Sequence, residues 1–374
     1  MMDKPVEVEQ ERSLEDVLQY MRSAVRREKP YLVGGTRDLP VKLNQNENPF
    51  DLPPELKREL VEQFMAVPFN RYPAEYPDRL QTVLAERLGV SPDSLLIDNG
   101  SNELSYLLGI VLVEQGAPVV LPRPMFSLYS KMVHLFGGDL KEVPPLSDLQ
   151  FDTEGIRQAV RTVRPALTII ATPNNPTGLS MPLSDVEYIL RDADGFVVVD
   201  EAYVEFNEEG SALPLLDRYP NLIIMRTFSK AAGLAGLRIG YLVAQPEVIR
   251  EFGKARLPFT VDRLAEKAAL FLLERPALME ERLRQVREST RMLVEGLQAI
   301  EGVTFIPSQA NFVIFKTKVE PRTLIDRLAD AGVLVRDMSG YPELKGYVRV
   351  SAGTPDENRV FLIALKDALR QEGS

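Results

Sequence analysis

Short strand-like and helix-like segments alternate along the middle of the chain, and this alternation limits the possible folds more than any other feature. From about residue 79, a helical pattern is followed by runs of β-branched and other apolar residues, each bounded by turn residues. These runs cover residues 95–98, 117–122, 167–172, 196–203, 222–230 and 238–244. Strands that alternate with helices predict an α/β fold, in which helices cover both faces of a mostly parallel sheet.

The pattern changes after Pro258, where longer helices and separated strands replace the alternation. Helical patterns there cover residues 262–300, with a break near Pro276, and 321–332, and strand patterns cover residues 304–316, 333–337 and 347–353. Two helical patterns also precede the alternation, at residues 13–26 and 54–66. We predict a larger domain over residues 46–260 and a smaller α+β domain that combines residues 1–45 with residues 261–374.

The composition excludes several classes of protein. The chain has 374 residues and a net charge of −10, which argues against a nucleic-acid partner. It contains no cysteine, so disulfides and thiolate catalysis are excluded. It has no signal-peptide pattern and no long apolar run, so we expect no membrane contact and a cytoplasmic location. The single histidine, His134, is interpreted as a packed or half-exposed helix residue, and no metal site is expected.

Polar segments follow four of the predicted strands. They are residues 100–103 (GSNE), 174–178 (NNPTG), 200–203 (DEAY) and 229–230 (SK). Each alone has an ordinary explanation as a turn, a helix start or a solvated side chain. However, ligands of open α/β sheets bind beyond the carboxyl ends of the strands, where these segments can converge. Lys230 surrounded by a carboxylate, a phenol and an anion site is the set that pyridoxal phosphate requires.

At this point the chain resembles a known family, the fold-type I pyridoxal-phosphate aminotransferases. The resemblance covers nearly the whole chain, and the motifs DEAYVEF (200–206) and RTFSK with GLAGLRIGY (226–241) are highly specific to this fold type. The motifs NENPF (46–50) and RYP (71–73) favour the histidinol-phosphate aminotransferase branch. The resemblance implies a large domain with a mostly parallel seven-stranded sheet between helices, a smaller α+β domain, pyridoxal 5'-phosphate as cofactor, and a homodimer.

The resemblance also implies roles around the cofactor ring. Lys230 would form the Schiff base with the cofactor and then move a proton between the substrate and the cofactor. Asp200 would pair with the pyridine nitrogen and keep it protonated. Asn175 and Tyr203 would hydrogen-bond the phenolic oxygen of the ring, and Phe126 would stack on its face.

A second group of residues would bind the cofactor phosphate. Ser229, Arg238 and the turn at Ser101 and Asn102 would contact it, the turn through backbone N–H groups at a helix start. The family usually has aspartate where this chain has Asn102, and we expect little loss because backbone amides do the binding. Tyr72 would reach the phosphate bound by the neighbouring subunit.

The substrate anion would be bound by Arg349 through a two-pronged contact, with Arg336 as a second cation for a phosphate dianion. Tyr31 and Asn175 are further substrate contacts in this interpretation. One pocket could then bind a carboxylate of glutamate in one half-reaction and the phosphate of histidinol phosphate in the other.

The implied activity is transamination of L-histidinol phosphate with 2-oxoglutarate, in a ping-pong reaction that gives imidazole-acetol phosphate and L-glutamate. An aromatic amino-acid aminotransferase is the nearest alternative, because a pocket discriminates weakly between rings of similar volume. A threonine-phosphate decarboxylase is a further alternative. A regulator built on an inactive aminotransferase domain would need an N-terminal DNA-binding domain, for which the sequence offers no pattern.

Overall fold

The structure is a computed structural model, and it describes residues 13–31 and 38–370. Its α-helices are α1 (Leu14–Leu18), α2 (Ser23–Arg27), α3 (Pro54–Met65), α4 (Asp78–Leu88), α5 (Ser101–Leu112), α6 (Leu128–Phe136), α7 (Thr153–Val163), α8 (Leu183–Asp192), α9 (Pro246–Ala255), α10 (Arg263–Leu273), α11 (Pro276–Gln298), α12 (Pro321–Asp330) and α13 (Pro355–Arg370). Its strands are β1 (Val41–Lys42), β2 (Leu95–Asp98), β3 (Pro118–Pro122), β4 (Asp139–Val143), β5 (Leu167–Ala171), β6 (Phe196–Asp200), β7 (Leu222–Thr227), β8 (Gly240–Val243), β9 (Thr304–Phe305), β10 (Phe312–Lys316), β11 (Val333–Leu334), β12 (Arg336–Asp337) and β13 (Tyr347–Ser351).

The larger sheet has seven strands in the order β2-β8-β7-β6-β5-β3-β4. All its neighbouring strands pair in parallel except β8, which runs antiparallel to both β2 and β7. Its central strands are buried on both faces. In β6, for example, Val197 and Val199 pack into one apolar cluster while Val198 packs into the cluster on the opposite face. The predicted α/β fold with a mostly parallel seven-stranded sheet is therefore confirmed.

One edge strand and one helix differ from the sequence-based expectation. The strand β4 lies at the sheet edge next to β3 and was not predicted, because its residues are mostly exposed and it lacks a β-branched run. The helix predicted over residues 13–26 is wrong as a single element, since α1 ends at Leu18 and α2 begins at Ser23. Neither short helix buries a side chain, so packing does not hold a continuous helix together there.

A four-stranded antiparallel sheet, in the order β12-β13-β10-β9, forms the core of the C-terminal part. Two predicted strands are each divided in the structure: residues 304–316 into β9 and β10, and residues 333–337 into β11 and β12. The strand β11 pairs in parallel with β1, so residues near the N-terminus contribute to this part of the fold. The predicted domain boundary at residue 260 stays a prediction, and α10 just beyond it packs against α3 and α4 of the larger core.

Residues 1–12, 32–37 and 371–374 of the predicted smaller domain lie outside the described residues. Within the described ranges, no helix is both long and apolar enough to cross a lipid bilayer.

Candidate active site

The predicted site residues converge on one cavity at the carboxyl edge of the larger sheet. The neighbouring parallel strands β5, β6 and β7 end there at Ala171, Asp200 and Thr227. The cavity has a volume of about 720 Å³. Its wall includes every predicted site residue except Tyr72, namely Tyr31, Ser101, Asn102, Phe126, Asn175, Asp200, Tyr203, Ser229, Lys230, Arg238, Arg336 and Arg349. Parallel strands place their carboxyl ends at one edge, which is why segments distant in sequence meet here.

Lys230 follows β7, and its amine lies inside this cavity. Its Nζ donates a hydrogen bond to the backbone carbonyl of Gln45, 3.2 Å away. Burial, and after it the positive charge of Arg349, lowers the pKa of Lys230 to about 8. An appreciable fraction of the amine is therefore unprotonated near neutral pH, as a nucleophile or a general base requires.

Asp200 is the last residue of β6, and both of its carboxylate oxygens accept hydrogen bonds. The backbone N–H of Ala202 donates to Oδ1 at 3.0 Å, and the Tyr129 hydroxyl donates to Oδ2 at 2.6 Å. Burial raises the pKa of Asp200 to about 6, although the two hydrogen bonds lower it. Asp200 is therefore a buried carboxylate whose charge depends on the protein groups around it.

Sequence reasoning did not identify Tyr129. It lies three residues after Phe126, the two rings meet edge to face with centroids 6.2 Å apart, and Tyr129 is 1% exposed. The sequence contained one signal for Tyr129, namely its helical spacing from the candidate site residue Phe126. A buried tyrosine near a site usually hydrogen-bonds one of its polar groups.

Tyr203 lies beside Asp200 and is also buried. The Asn46 side-chain amide donates a hydrogen bond to the Tyr203 hydroxyl at 3.0 Å. Burial raises the pKa of Tyr203 to about 12, so the phenol is protonated at neutral pH. Asn46 belongs to the NENPF motif, but sequence reasoning gave it no role. Its contact with Tyr203 joins residues 157 positions apart, which local spacing does not predict.

The N-terminus of α5, Ser229 and Arg238 form a cationic corner of the cavity. Arg238 Nη1 lies 3.3 Å from Ser229 Oγ and donates to the Ala235 carbonyl at 3.1 Å. A Cβ on Gly100 would lie 2.7 Å from Arg238 Nη2, so the arginine packs on this glycine's backbone, which has a φ of +83°. A helix start with exposed N–H groups and an adjacent guanidinium is a suitable anion site.

Two further arginines of the cavity wall lie on adjacent strands of the smaller sheet. Arg336 of β12 and Arg349 of β13 are directly paired across the sheet, so their side chains share a face. Arg349 is 8% exposed and donates to Asn175 Oδ1 at 2.6 Å and to the Asn44 carbonyl at 3.0 Å. Its buried Nε has no hydrogen-bond partner among the described residues. Burial lowers the pKa of Arg349, and Arg336 contributes in the same direction.

Tyr31 and Phe126 are two of the aromatic side chains in the cavity wall. Their ring centroids are 6.2 Å apart in an edge-to-face arrangement, and Tyr31 is partly exposed. Both rings therefore give the cavity wall an aromatic surface.

Tyr72 lies away from this cavity on the outer surface. Its side chain is 77% exposed and stacks on Phe259, with centroids 4.9 Å apart. His134 is half-exposed, and its Nδ1 lies 3.1 Å from Glu28 Oε1, which agrees with the interpretation of a half-exposed helix residue.

Known proteins resemble the chain over most of its length. Residues 40–365 match the family model for aminotransferases of class I and II. A histidinol-phosphate aminotransferase of Chlorobaculum tepidum is 42% identical over 336 residues, which are 90% of this chain and 96% of that protein.

Two solved structures show the same architecture. A histidinol-phosphate aminotransferase from Sinorhizobium meliloti, in complex with pyridoxal-5'-phosphate, superposes with a TM-score of 0.86 at 26% identity, covering 95% of this chain and 98% of that one. An L-threonine-O-3-phosphate decarboxylase from Porphyromonas gingivalis superposes with a TM-score of 0.78 at 26% identity, covering 88% and 99%. With the family match and the 42% identity, these findings establish that the chain belongs to the class I and II aminotransferase family.

Proposed function

We propose that the protein transfers the amino group of L-histidinol phosphate to 2-oxoglutarate, giving imidazole-acetol phosphate and L-glutamate in histidine biosynthesis. It would use pyridoxal phosphate and act as a homodimer in the cytoplasm. Three relatives that are 39%, 41% and 42% identical to this chain are named histidinol-phosphate aminotransferase, which supports this substrate. The observation that carries the proposal is the cross-strand pair Arg336 and Arg349 in the cavity that also contains Lys230. Two adjacent guanidinium groups suit a phosphate dianion better than a single carboxylate.

The cavity has the groups that pyridoxal phosphate needs. The helix start at Ser101 and the guanidinium of Arg238 form a corner for its phosphate, and Asp200 offers a carboxylate for its ring nitrogen. The face of Phe126 borders the same space. When bound, the cofactor supplies an acceptor for the electron pair released as the substrate Cα–H bond breaks.

Lys230 would carry the proton in this reaction. Its Nζ would take the proton from the substrate Cα and deliver it to the C4′ atom of the cofactor. The lowered pKa, about 8, lets the amine act as a base near neutral pH. Tyr203 and the amide of Asn175 would hold the phenolic oxygen of the cofactor, and Asp200 would hold its ring nitrogen in the protonated form.

The arginine pair would bind both substrates in turn. Arg349 already contacts Asn175 through Nη1, and its buried Nε, which has no hydrogen-bond partner among the described residues, would donate to a substrate oxygen. Histidinol phosphate has a CH2–O–phosphate group where an α-amino acid has its carboxylate, so one anion pocket would accept glutamate in the other half-reaction. Tyr31 would contact the substrate ring.

A single-turnover experiment tests the substrate. The protein loaded with pyridoxal phosphate is mixed with L-histidinol phosphate, L-phenylalanine or L-threonine phosphate, and the absorbance band of the protein-bound cofactor is followed. We expect the band to disappear at least about tenfold faster at low concentration with histidinol phosphate, because only that substrate combines the ring with a phosphate at the arginine pair. Equal or faster conversion of phenylalanine indicates an aromatic aminotransferase. Release of carbon dioxide from threonine phosphate indicates a decarboxylase.

The surface around Tyr72 supports the homodimer. The segments that meet through the Tyr72–Phe259 stack also expose Met65, Phe69 and Leu257, at 82%, 80% and 69%. Large exposed apolar side chains on neighbouring segments are typical of an interface. Tyr72 does not line the cavity of its own chain, so a role at the cofactor phosphate requires a second subunit.

We therefore expect a dimer by sedimentation velocity, and we expect Tyr72→Phe to weaken binding of pyridoxal phosphate by about tenfold, through the loss of one hydrogen bond to a charged group. Tyr20→Phe, at another highly exposed tyrosine, is the matched control and should leave the affinity unchanged. A monomer at assay concentrations that binds the cofactor tightly would contradict both parts of this expectation.

A further inference from the structure

The Tyr129 hydroxyl and the Asp200 carboxylate form a buried hydrogen-bonded pair that joins α6 to the end of β6. Tyr129 is 1% exposed and Asp200 is 9% exposed, and Oη and Oδ2 are 2.6 Å apart. With Ala202 donating to Oδ1, each carboxylate oxygen is held by one protein donor. A carboxylate held at both oxygens has a defined orientation, and each oxygen retains a lone pair for another donor.

Titratable neighbours act on both members of this pair. Besides Tyr129, the groups that act on Asp200 include Glu201, which follows it in the chain, and Lys230, which follows β7. Tyr203 interacts with both Tyr129 and Asp200. Lys230 favours the ionised form of Asp200, whereas Glu201 opposes it. Because burial itself disfavours a charged carboxylate, the direct donor Tyr129 matters more here than it would at the surface.

We propose that Tyr129 is a positioning residue for the cofactor site: its hydroxyl orients the Asp200 carboxylate and keeps it ionised, so that the carboxylate can pair with the protonated ring nitrogen of the cofactor. The inference rests on the proposed function, because it assumes that pyridoxal phosphate binds in this cavity. It assigns to Tyr129 no contact with the cofactor or the substrate.

The expected effect has a definite sign. The hydrogen bond from Tyr129 lowers the pKa of Asp200, so its removal raises that pKa above about 6. At a given pH, more of the Asp200 carboxyl is then protonated in the apoprotein, and cofactor binding must first remove that proton. The ratio of the cofactor dissociation constant of Tyr129→Phe to that of the wild type should therefore grow as the pH falls.

The experiment measures the affinity of the apoprotein for pyridoxal phosphate by fluorescence quenching between about pH 5.5 and about pH 8.5. For Tyr129→Phe we expect this ratio of dissociation constants to be smallest at the highest pH. It should rise by about tenfold or more toward the lowest pH, as expected for the loss of a hydrogen bond to a charged group. Taking the ratio cancels the titration of groups that both proteins share. A ratio above unity that does not change with pH would assign Tyr129 to packing alone and overturn the inference.

The chain offers a matched control. The Tyr219 hydroxyl donates to Glu187 Oε1 at 2.9 Å, so Tyr219→Phe also removes a hydrogen bond from tyrosine to a carboxylate, but outside the cavity. Its ratio should stay near unity at every pH. In an Asp200→Asn background, Tyr129→Phe should lose its pH-dependent effect, because the hydroxyl acts through the carboxylate. A pH-dependent effect that persists in that background would contradict the inference.

A second substitution covers the case in which Tyr129→Phe does not fold. Incorporation of 3-fluorotyrosine at position 129 retains the ring and strengthens the hydroxyl as a donor, so the dissociation-constant ratio should fall below unity as the pH falls. An unchanged ratio would overturn the inference. Wild-type protein that fails to bind pyridoxal phosphate would refute the proposed function itself, whereas tight wild-type binding with a pH-independent mutant ratio would refute only the role of Tyr129.

Discussion

Lys230→Ala is expected to reduce the rate of transamination by at least about 10⁴-fold, the largest effect of any single substitution in the cavity. The amine of Lys230 is the basic nitrogen that the structure places inside the cavity with a pKa lowered to about 8. In the proposed mechanism, alanine removes both the nucleophile that would attach the cofactor and the base that would move the Cα proton. The measurement is the steady-state rate with histidinol phosphate and 2-oxoglutarate, together with the absorbance spectrum of the purified protein after addition of pyridoxal phosphate.

The pH dependence of cofactor attachment checks the same assignment in the wild type. An amine with a lowered pKa is protonated below that pKa and nucleophilic above it, so the rate of attachment should rise with pH through about 8 and then level off. For an unperturbed lysine the rate would level off only above its ordinary pKa of about 10.4. The control variant is Lys254→Ala, which removes an exposed lysine that pairs with Glu251 on its own helix. Residual activity of Lys230→Ala within about tenfold of the wild type would refute the role of Lys230.

Arg349→Gln is expected to lower kcat/KM by about 10²-fold or more for both histidinol phosphate and glutamate. Arg349 is buried, is held in place by Asn175 and the Asn44 carbonyl, and retains an unpartnered Nε among the described residues. Glutamine keeps part of the side-chain volume and removes the charge and the forked donor geometry. In the proposed binding mode both substrates place an anion against Arg349, so the rates of both half-reactions should fall.

Arg336→Gln should separate the two substrates. A phosphate dianion gains more from a second cation than a carboxylate does, so the loss in kcat/KM should be larger for histidinol phosphate than for glutamate. The measurement is the half-reaction rate of each variant with each amino donor, as a function of donor concentration. Equal losses for both donors with Arg336→Gln would contradict the proposal that the arginine pair recognises the phosphate.

The strongly patterned elements were predictable from the sequence because their environment is uniform. The strands β5, β6 and β7 are buried on both faces, so they read as short continuous apolar runs. The strand β4 has water on much of its surface, and its sequence DLKEV shows no such pattern. The sequence also did not predict the division of residues 304–316 into two strands. In the structure, β9 and β10 are separate and pair through two residue positions.

The sequence predicted the cavity where its lining residues lie directly after strands. Asp200, Ser229 and Lys230 lie at or just beyond the ends of neighbouring parallel strands, and this topology requires them to be close. The pairing of Arg336 with Arg349 depends on the register between β12 and β13. The sequence indicated these two arginines only through the resemblance to a family. Spacing along the chain contains no information about register between separate strands.

The sequence by itself determined the α/β class, the order of the main elements and the residue types available at the strand ends, because these depend on local periodicity and on the chemistry of single residues. Only the tertiary structure placed Tyr129 on Asp200 and Asn46 on Tyr203, contacts between residues 71 and 157 positions apart. The tertiary structure also determined the pKa values of the site residues. The pKa values of Asp200 and Lys230 are shifted toward each other, to about 6 and about 8, by burial that exists only once the chain is folded.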